Sequence, residues 1–481
     1  MRIAIVGSGF GGIGMAVNLK RAGIDDFVVL ERAQDIGGTW RENTYPGCQC
    51  DVPSTLYSFS FAPNPDWTHS YPLQPEIWDY LRKVVADDGL IPHIRCRHEV
   101  TSGCWDDQAR RWRLETTGGP VTARVLVLAI GALSEPSIPA IPGLERFEGA
   151  VFHSAAWKHE HRLANERVAV IGTGASAVQF VPRIAPHVAE LQLYQRTAPW
   201  VMPHPDRAVT AVERFLWRAL PRSQHLWRGT VWAARESMVV GLTVAPRLML
   251  AMELVARAHL RSQVPDRGLR ARLTPDYRLG CKRILVSNTY YRTLCEPGVE
   301  VITSGVRELR RDSIVAHDGI ERRVDTIIFG TGFEVTEPPC AAYIRGRDGV
   351  LLADAWSPSM SAYLGTTIAG FPNAFMIIGP NTGLGHSSMI YMIESQIAYI
   401  VDALRVMERR RAAAMDVRPD VQVAYNHRLQ RKLARTVWSS GGCKSWYLDA
   451  TGRNTTLWPS FTFRFRRQTR KLDERDYRFN V

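Results

Sequence analysis

The chain has 481 residues, too many for one hydrophobic core, so roughly two to four domains are expected. Its 45% hydrophobic and 22% charged residues match folded water-soluble proteins, and the absence of low-complexity tracts and short-period repeats excludes a disordered or repeat architecture. A net charge of +13 suits a nucleic acid, a membrane surface or cofactors rich in phosphate, but the basic residues lie among apolar ones without a long Lys/Arg block or RNA-binding signature, so nucleic acid is set aside.

The first apolar run, Ile3 to Val6, follows Met1 directly and reads as a core strand, not a cleavable leader, so a cytoplasmic protein is expected. Residues 2–12, RIAIVGSGFGG, carry Gly7, Gly9 and Gly12 in GxGxxG spacing between that strand and a helix. The first glycine permits the tight turn, the second lets a pyrophosphate approach the backbone, and the third lets helix and strand pack closely. The next strand, Phe27 to Leu30, ends in Glu31, 24 residues past Gly7, where a carboxylate can accept both ribose hydroxyls of FAD or NAD. Beyond it GGT is followed by Trp40, not by the redox cysteine pair of disulfide reductases, and Cys48 and Cys50 are too close in sequence for an unstrained disulfide. The eight cysteines show no CxxC or metal-ligand spacing, so no metal site is expected and the thiols are read as reduced and mostly buried.

Val125 to Gly131 is a further apolar strand, leading into EPSIPAIPG, a proline-rich crossing between domains. Residues 167–177, RVAVIGTGASA, repeat the glycine turn with Gly172, Gly174 and Ala177. The strand that follows, Leu191 to Gln195, ends in Arg196, again 24 residues past the first glycine. An arginine there can clamp a 2′-phosphate that an acid would repel, so the second unit is read as an NADPH site. Residues 205–279 read as helical and basic, and their apolar run from Met238 to Met252 is interrupted by Pro246 and Arg247, too short to span a bilayer. A helical insertion over the cofactor or substrate cleft is expected, with peripheral membrane contact as the other reading. Val324 to Phe333, VDTIIFGTGF, is the next strand and glycine turn. The resulting α/β organisation has two Rossmann-like dinucleotide-binding domains: an FAD domain at 1–140 and 330–481, an NADPH domain at 141–204 and 280–329, and the helical insertion at 205–279.

Phe147, Gly149, His153 and Trp157 fit the pattern FxGxxxHxxxW, and Gly38, Trp40, Tyr45, Pro46, Gly47 and Asp51 fit GxWxxxxYPGxxxD. With GCKR at 280–283, GPNTGLGHSS at 379–388 and SWYLDATGRNTTLWP at 445–459, the whole chain resembles the type I Baeyer-Villiger monooxygenases, although Lys158 stands where proline or aspartate is usual. That resemblance implies FAD, NADPH and dioxygen, a flavin peroxide, and oxygen insertion beside the carbonyl of a small hydrophobic ketone to give an ester or lactone. It implies Arg283 as the fixed positive charge at the reacting centre, oriented by Asp51. Trp40 is assigned to the flavin side, Arg196, Thr197 and Lys282 to the 2′-phosphate, and Trp446 to a segment folding over the nicotinamide. His153 is assigned to domain coupling and His386 to support of the flavin edge. N- or S-oxygenation, uncoupled NADPH oxidation, and a nucleotide-sensing role without turnover are the competing readings.

Overall fold

Short runs of Val, Ile and Leu bounded by glycine turns form two parallel sheets in the computed structural model, which describes residues 2–480. The first sheet has the order Ala374–Met376, Val125–Leu128, Ile3–Val6, Phe27–Leu30, Ile94–Arg95. The three central strands are buried at every residue, as parallel strands covered on both faces must be. The second sheet has the order Val299–Ile302, Glu190–Tyr194, Arg167–Ile171, Thr326–Phe329, Ala150–His153. Both are doubly wound Rossmann-type layers, and each glycine turn lies at the carboxyl end of its central strand, where open α/β sheets bind ligands.

Two strand-like crossings join the sheets and run side by side. Pro136 bridges Phe333, Ser137 N donates to Gly332 O at 2.9 Å, and Glu334 N donates to Glu135 O at 2.9 Å. The crossings therefore support each other as one hinge-like ribbon. Thr326–Phe329, the strand of the VDTIIFGTGF motif, belongs to the second sheet, and its turn backs the second glycine turn.

The insertion is helical as expected, with helices Ala211–Ala219, Pro221–Val239, Met249–Gln263 and Arg267–Arg272. A capping box, Thr210 with Glu213, starts the first of them. The apolar run around Pro246 is a break: the chain bends by 117° between Pro221–Val244 and Pro246–Gln263. Among the described residues no single helix is long and apolar enough to cross a membrane; the bent pair passes only by length and composition. The insertion is fastened over the first sheet's domain. Arg228 donates to the carbonyls of Thr55 and Ser58 at 2.7 and 2.9 Å, and Glu236 accepts from the Thr462 amide at 2.9 Å.

The expectation of reduced thiols fails at one pair. Cys281 and Cys443 form a disulfide across 162 residues, their Cα atoms 6.2 Å apart. No sequence spacing marks such a pair, because the tertiary fold alone brings the two segments together.

Candidate active site

Both glycine turns open onto one cavity of about 1280 Å³. Gly7 has φ +100°, and a Cβ there would sit 2.6 Å from Ala129 O, so only glycine fits this turn. A Cβ on Gly12 would come within 1.8 Å of Gly7 O, which explains the third glycine as a packing requirement; Gly12 itself does not line the cavity. Gly172 repeats the first position at φ +111°, with a Cβ 2.4 Å from Gly330 O. The Ala177 methyl is accommodated by glycine opposite it, since a Cβ on Gly330 would approach the Ala177 Cβ to 3.3 Å. Gly9 and Gly174 line the cavity without such crowding.

Glu31 is buried at the end of its strand and fixed by donors from Ser8 N at 3.0 Å, Ser8 Oγ at 2.6 Å and Ala33 N at 2.9 Å. Arg196 occupies the matching position beyond Glu190–Tyr194 and is exposed. Beside it lies a second cavity of about 580 Å³, whose walls include Arg196, Thr197, Arg272, Lys282 and Lys444 and a single acid, Asp276. Burial lowers the pKa of the Lys282 ammonium, and the charge of Arg196 lowers it further. Cations gathered against mutual repulsion around a glycine turn fit a bound phosphate.

Asp51 and Arg283 meet on the wall of the cavity that both turns line. Arg283 Nε donates to Asp51 Oδ2 at 2.8 Å, Nη2 to Oδ1 at 2.6 Å, and Nη1 to Leu384 O at 3.0 Å. The two side chains are 25% and 26% exposed, and both line the large cavity, so their open surface faces its interior. Burial alone would push the Asp51 carboxyl up, but the charge and hydrogen bonds of Arg283 outweigh it and hold the pKa below its usual value. Burial works against the Arg283 charge too, and Asp51 overcomes it, so the guanidinium stays charged. Arg235, from the helical insertion, adds a second cation: it donates to Asp51 O at 3.3 Å and to Tyr71 Oη at 3.1 Å. Sequence reading missed Arg235, Arg272 and Lys444, which no motif marks.

Trp40 is buried on the short helix Thr39–Glu42, its indole N–H donating to Tyr57 Oη at 3.0 Å. Trp446 lines the cavity rim and packs edge-on to Tyr447 at 4.5 Å. The Tyr447 phenol is pushed up to about 12 by burial, against the pull of Arg283. His153 ends the edge strand Ala150–His153 and packs against Phe333 of the crossing ribbon, at 5.7 Å between ring centroids. His386 turns away from the cavity toward Glu236 of the insertion, 3.2 Å away, so it ties the insertion to the first domain where support of the flavin edge was expected. Cys48 and Cys50 are buried free thiols, and burial pushes Cys48 up to about 12, which removes the thiolate that disulfide exchange needs.

Two dinucleotide turns lining one cavity, opposite charges at the matching strand ends, and a paired arginine on the same cavity wall define a two-dinucleotide oxidoreductase of the flavoprotein type. Comparison with known proteins narrows the class. The family described as pyridine nucleotide-disulphide oxidoreductase matches residues 4–220. A Baeyer-Villiger monooxygenase of Streptomyces coelicolor is 54% identical, with 99% of this chain and 92% of that protein aligned. One of Pseudomonas aeruginosa is 51% identical over 99% of this chain and 91% of its own length. The solved cyclohexanone monooxygenase from Rhodococcus sp. Phi1 bound to NADP+ is 27% identical and superposes with a TM-score of 0.89 over 100% of this chain and 99% of that one. The chain belongs to the Baeyer-Villiger monooxygenases.

Proposed function

We propose that the protein uses FAD at the first glycine turn and NADPH at the second to insert one oxygen atom of dioxygen beside the carbonyl of a small hydrophobic ketone, giving an ester or lactone. The observation that carries this reading is the Asp51–Arg283 fork on the wall of the single cavity that both turns share. When bound, FAD accepts hydride from NADPH and activates dioxygen.

The chain's own residues supply position and charge. Gly7, Gly9 and the helix they open receive the FAD pyrophosphate, with Gly12 packed behind them, and Glu31 receives its ribose; Gly172 and Gly174 do the same for NADPH. Arg196, Thr197 and Lys282 hold the 2′-phosphate. Of the five N–H donors of a guanidinium, three in Arg283 are committed to Asp51 and Leu384, which leaves two for oxygens in the cavity. They can stabilise the oxyanion that forms when a carbonyl is attacked, while Asp51 fixes the plane of the fork. Trp40 and Trp446 enclose the cofactors and keep water from the reacting carbon.

Mass analysis of products from linear, cyclic and aryl ketones and from a thioether, each incubated with enzyme, NADPH and air, tests the reading. Esters or lactones are expected; sulfoxide from the thioether with no ester from any ketone would replace it with heteroatom oxygenation.

We also propose that the protein resides in the cytoplasm and touches anionic lipid through the bend of its insertion. Six free cysteines suit a reducing compartment. At the bend Val244, Leu248 and Leu254 are 69%, 57% and 69% exposed beside the exposed Arg247. The only acids of residues 207–263 are committed elsewhere: Glu213 to Arg207, Glu236 to Thr462 and Glu253 to Arg278, so an apolar and cationic face remains. Cosedimentation with phosphatidylglycerol vesicles, lost in Leu248→Glu, is the expected result. Equal binding to phosphatidylcholine vesicles, or none to either, refutes the contact, and cell fractionation tests the compartment.

A further inference from the structure

We propose that the Cys281–Cys443 disulfide is a clasp that presents Lys444 to the nucleotide 2′-phosphate, making Lys444 a redox-dependent determinant of the preference for NADPH. The inference rests on the NADPH reading above and adds to it a residue and a control.

The bridge joins the residue before Lys282 to the residue before Lys444, so one covalent link sets two ammonium groups on the wall of the same 580 Å³ cavity. Gly442 and Cys443 line that cavity too, while Trp446, two residues past Lys444, lines the larger one. A single short loop thus touches both the phosphate end and the reacting end of the nucleotide site. Among the described residues Arg196, Arg272, Lys282 and Lys444 make no ion pair, and Asp276 is the only acid on the cavity wall. A cluster with four cations to one acid suits an anion of more than one charge.

The loop is built for close approach at the bridge and for freedom beyond it. A Cβ on Gly441 would lie 2.7 Å from the Cys281 Cβ, so glycine is what lets the chain pass the disulfide. Gly442 has φ +81°, a turn that favours glycine. Besides the disulfide, the backbone of residues 441–444 is joined to the Lys282 segment by one hydrogen bond, Arg278 N to Gly441 O at 3.0 Å. Opening the bridge leaves Lys444 with little to hold it over the cavity.

Opening needs a dithiol. Its thiolate attacks the more accessible Cys443 sulfur, the Cys281 thiolate leaves and takes a proton, and the dithiol's second thiol then displaces Cys443 from the mixed disulfide. The sulfur–sulfur bond gains two electrons and two protons, and the dithiol becomes a disulfide. In a reducing compartment a bridge of this kind is a sensor and not a staple.

The test is calorimetric titration of FAD-loaded enzyme with 2′,5′-ADP, 5′-ADP and inorganic phosphate, before and after treatment with a dithiol. Lys444→Ala should weaken 2′,5′-ADP binding about fivefold to tenfold and leave 5′-ADP unchanged, as the loss of one charge-assisted contact predicts. Dithiol treatment of wild type should cause a loss of the same size, and none further in Lys444→Ala or Cys443→Ser. Denatured without reductant, the chain should titrate six thiols of its eight cysteines. Unchanged 2′,5′-ADP affinity in Lys444→Ala or after reduction, or eight free thiols, overturns the clasp. Inorganic phosphate bound as tightly as 2′,5′-ADP overturns the nucleotide as its ligand. Arg196→Ala keeps the two readings apart: if that variant still prefers 2′,5′-ADP over 5′-ADP to the wild-type extent, the NADPH reading itself fails.

Discussion

Arg283→Ala removes a charged side chain that Asp51 holds on the wall of the cavity shared by both turns and that keeps two uncommitted N–H donors. Loss of one preorganised donor to an oxyanion lowers kcat by about 10²–10³-fold, so losing two donors with their charge should lower ester formation by about 10³-fold or more. The variant also strands Asp51, whose burial already opposes its charge, with only Arg235 nearby. A broken buried ion pair costs about 3–5 kcal/mol, and exposure to the cavity's water brings the expected cost nearer 2 kcal/mol. Arg283→Lys separates folding from chemistry: it keeps the charge, cannot fork onto the carboxylate, and should lose about 10²-fold, the effect of one donor. The assay follows bleaching of the flavin by NADPH without air, then ester yield by mass once air is admitted. Flavin reduction should survive in both variants. Ester formation by Arg283→Ala within tenfold of wild type would refute the role of the guanidinium.

Arg196→Ala should raise the NADPH KM about tenfold and leave the NADH KM nearly unchanged, in steady-state rates with the two cofactors side by side; equal losses would remove the 2′-phosphate from Arg196. Gly12→Ala forces a Cβ to within 1.8 Å of Gly7 O, so the purified variant should carry little or no flavin, whereas Ala177→Gly should keep its full complement. A fully yellow Gly12→Ala protein would contradict the packing argument. Asp416 is buried, and burial raises its pKa to about 6 against the two hydrogen bonds from Gly370 N. A carboxyl raised in the folded state favours folding fully below about pH 4 and loses that contribution as pH climbs through 6. Asp416→Asn does not titrate, so its stability relative to wild type should improve by about 2–3 kcal/mol between pH 4 and pH 8 in urea unfolding, and an unchanged difference would refute the assignment.

What the sequence makes legible is what short-range backbone geometry enforces. The glycine turns are readable because each follows its strand at once and the Gly12–Gly7 contact lies within the motif, and Glu31 and Arg196 are readable because each sits one strand beyond its turn. Strand ends are less so: within the apolar run to Gly131 the strand ends at Leu128, and Ala129, still bonded to Val6 O at 2.9 Å, packs its carbonyl against Gly7, where only a glycine leaves room for it. The Asp51–Arg283 pair spans 232 residues and joins two irregular segments, so only likeness to a family pointed to it. Arg235, Lys444 and the Cys281–Cys443 bridge carry no signal of that kind. Each depends on how the insertion and the C-terminal loop settle over the cavity, a long-range packing outcome that no local pattern encodes. The same physics explains why these residues matter to specificity: the scaffold of two nucleotide units is fixed by local rules, and the side chains that close over it are free to differ from one chain to the next.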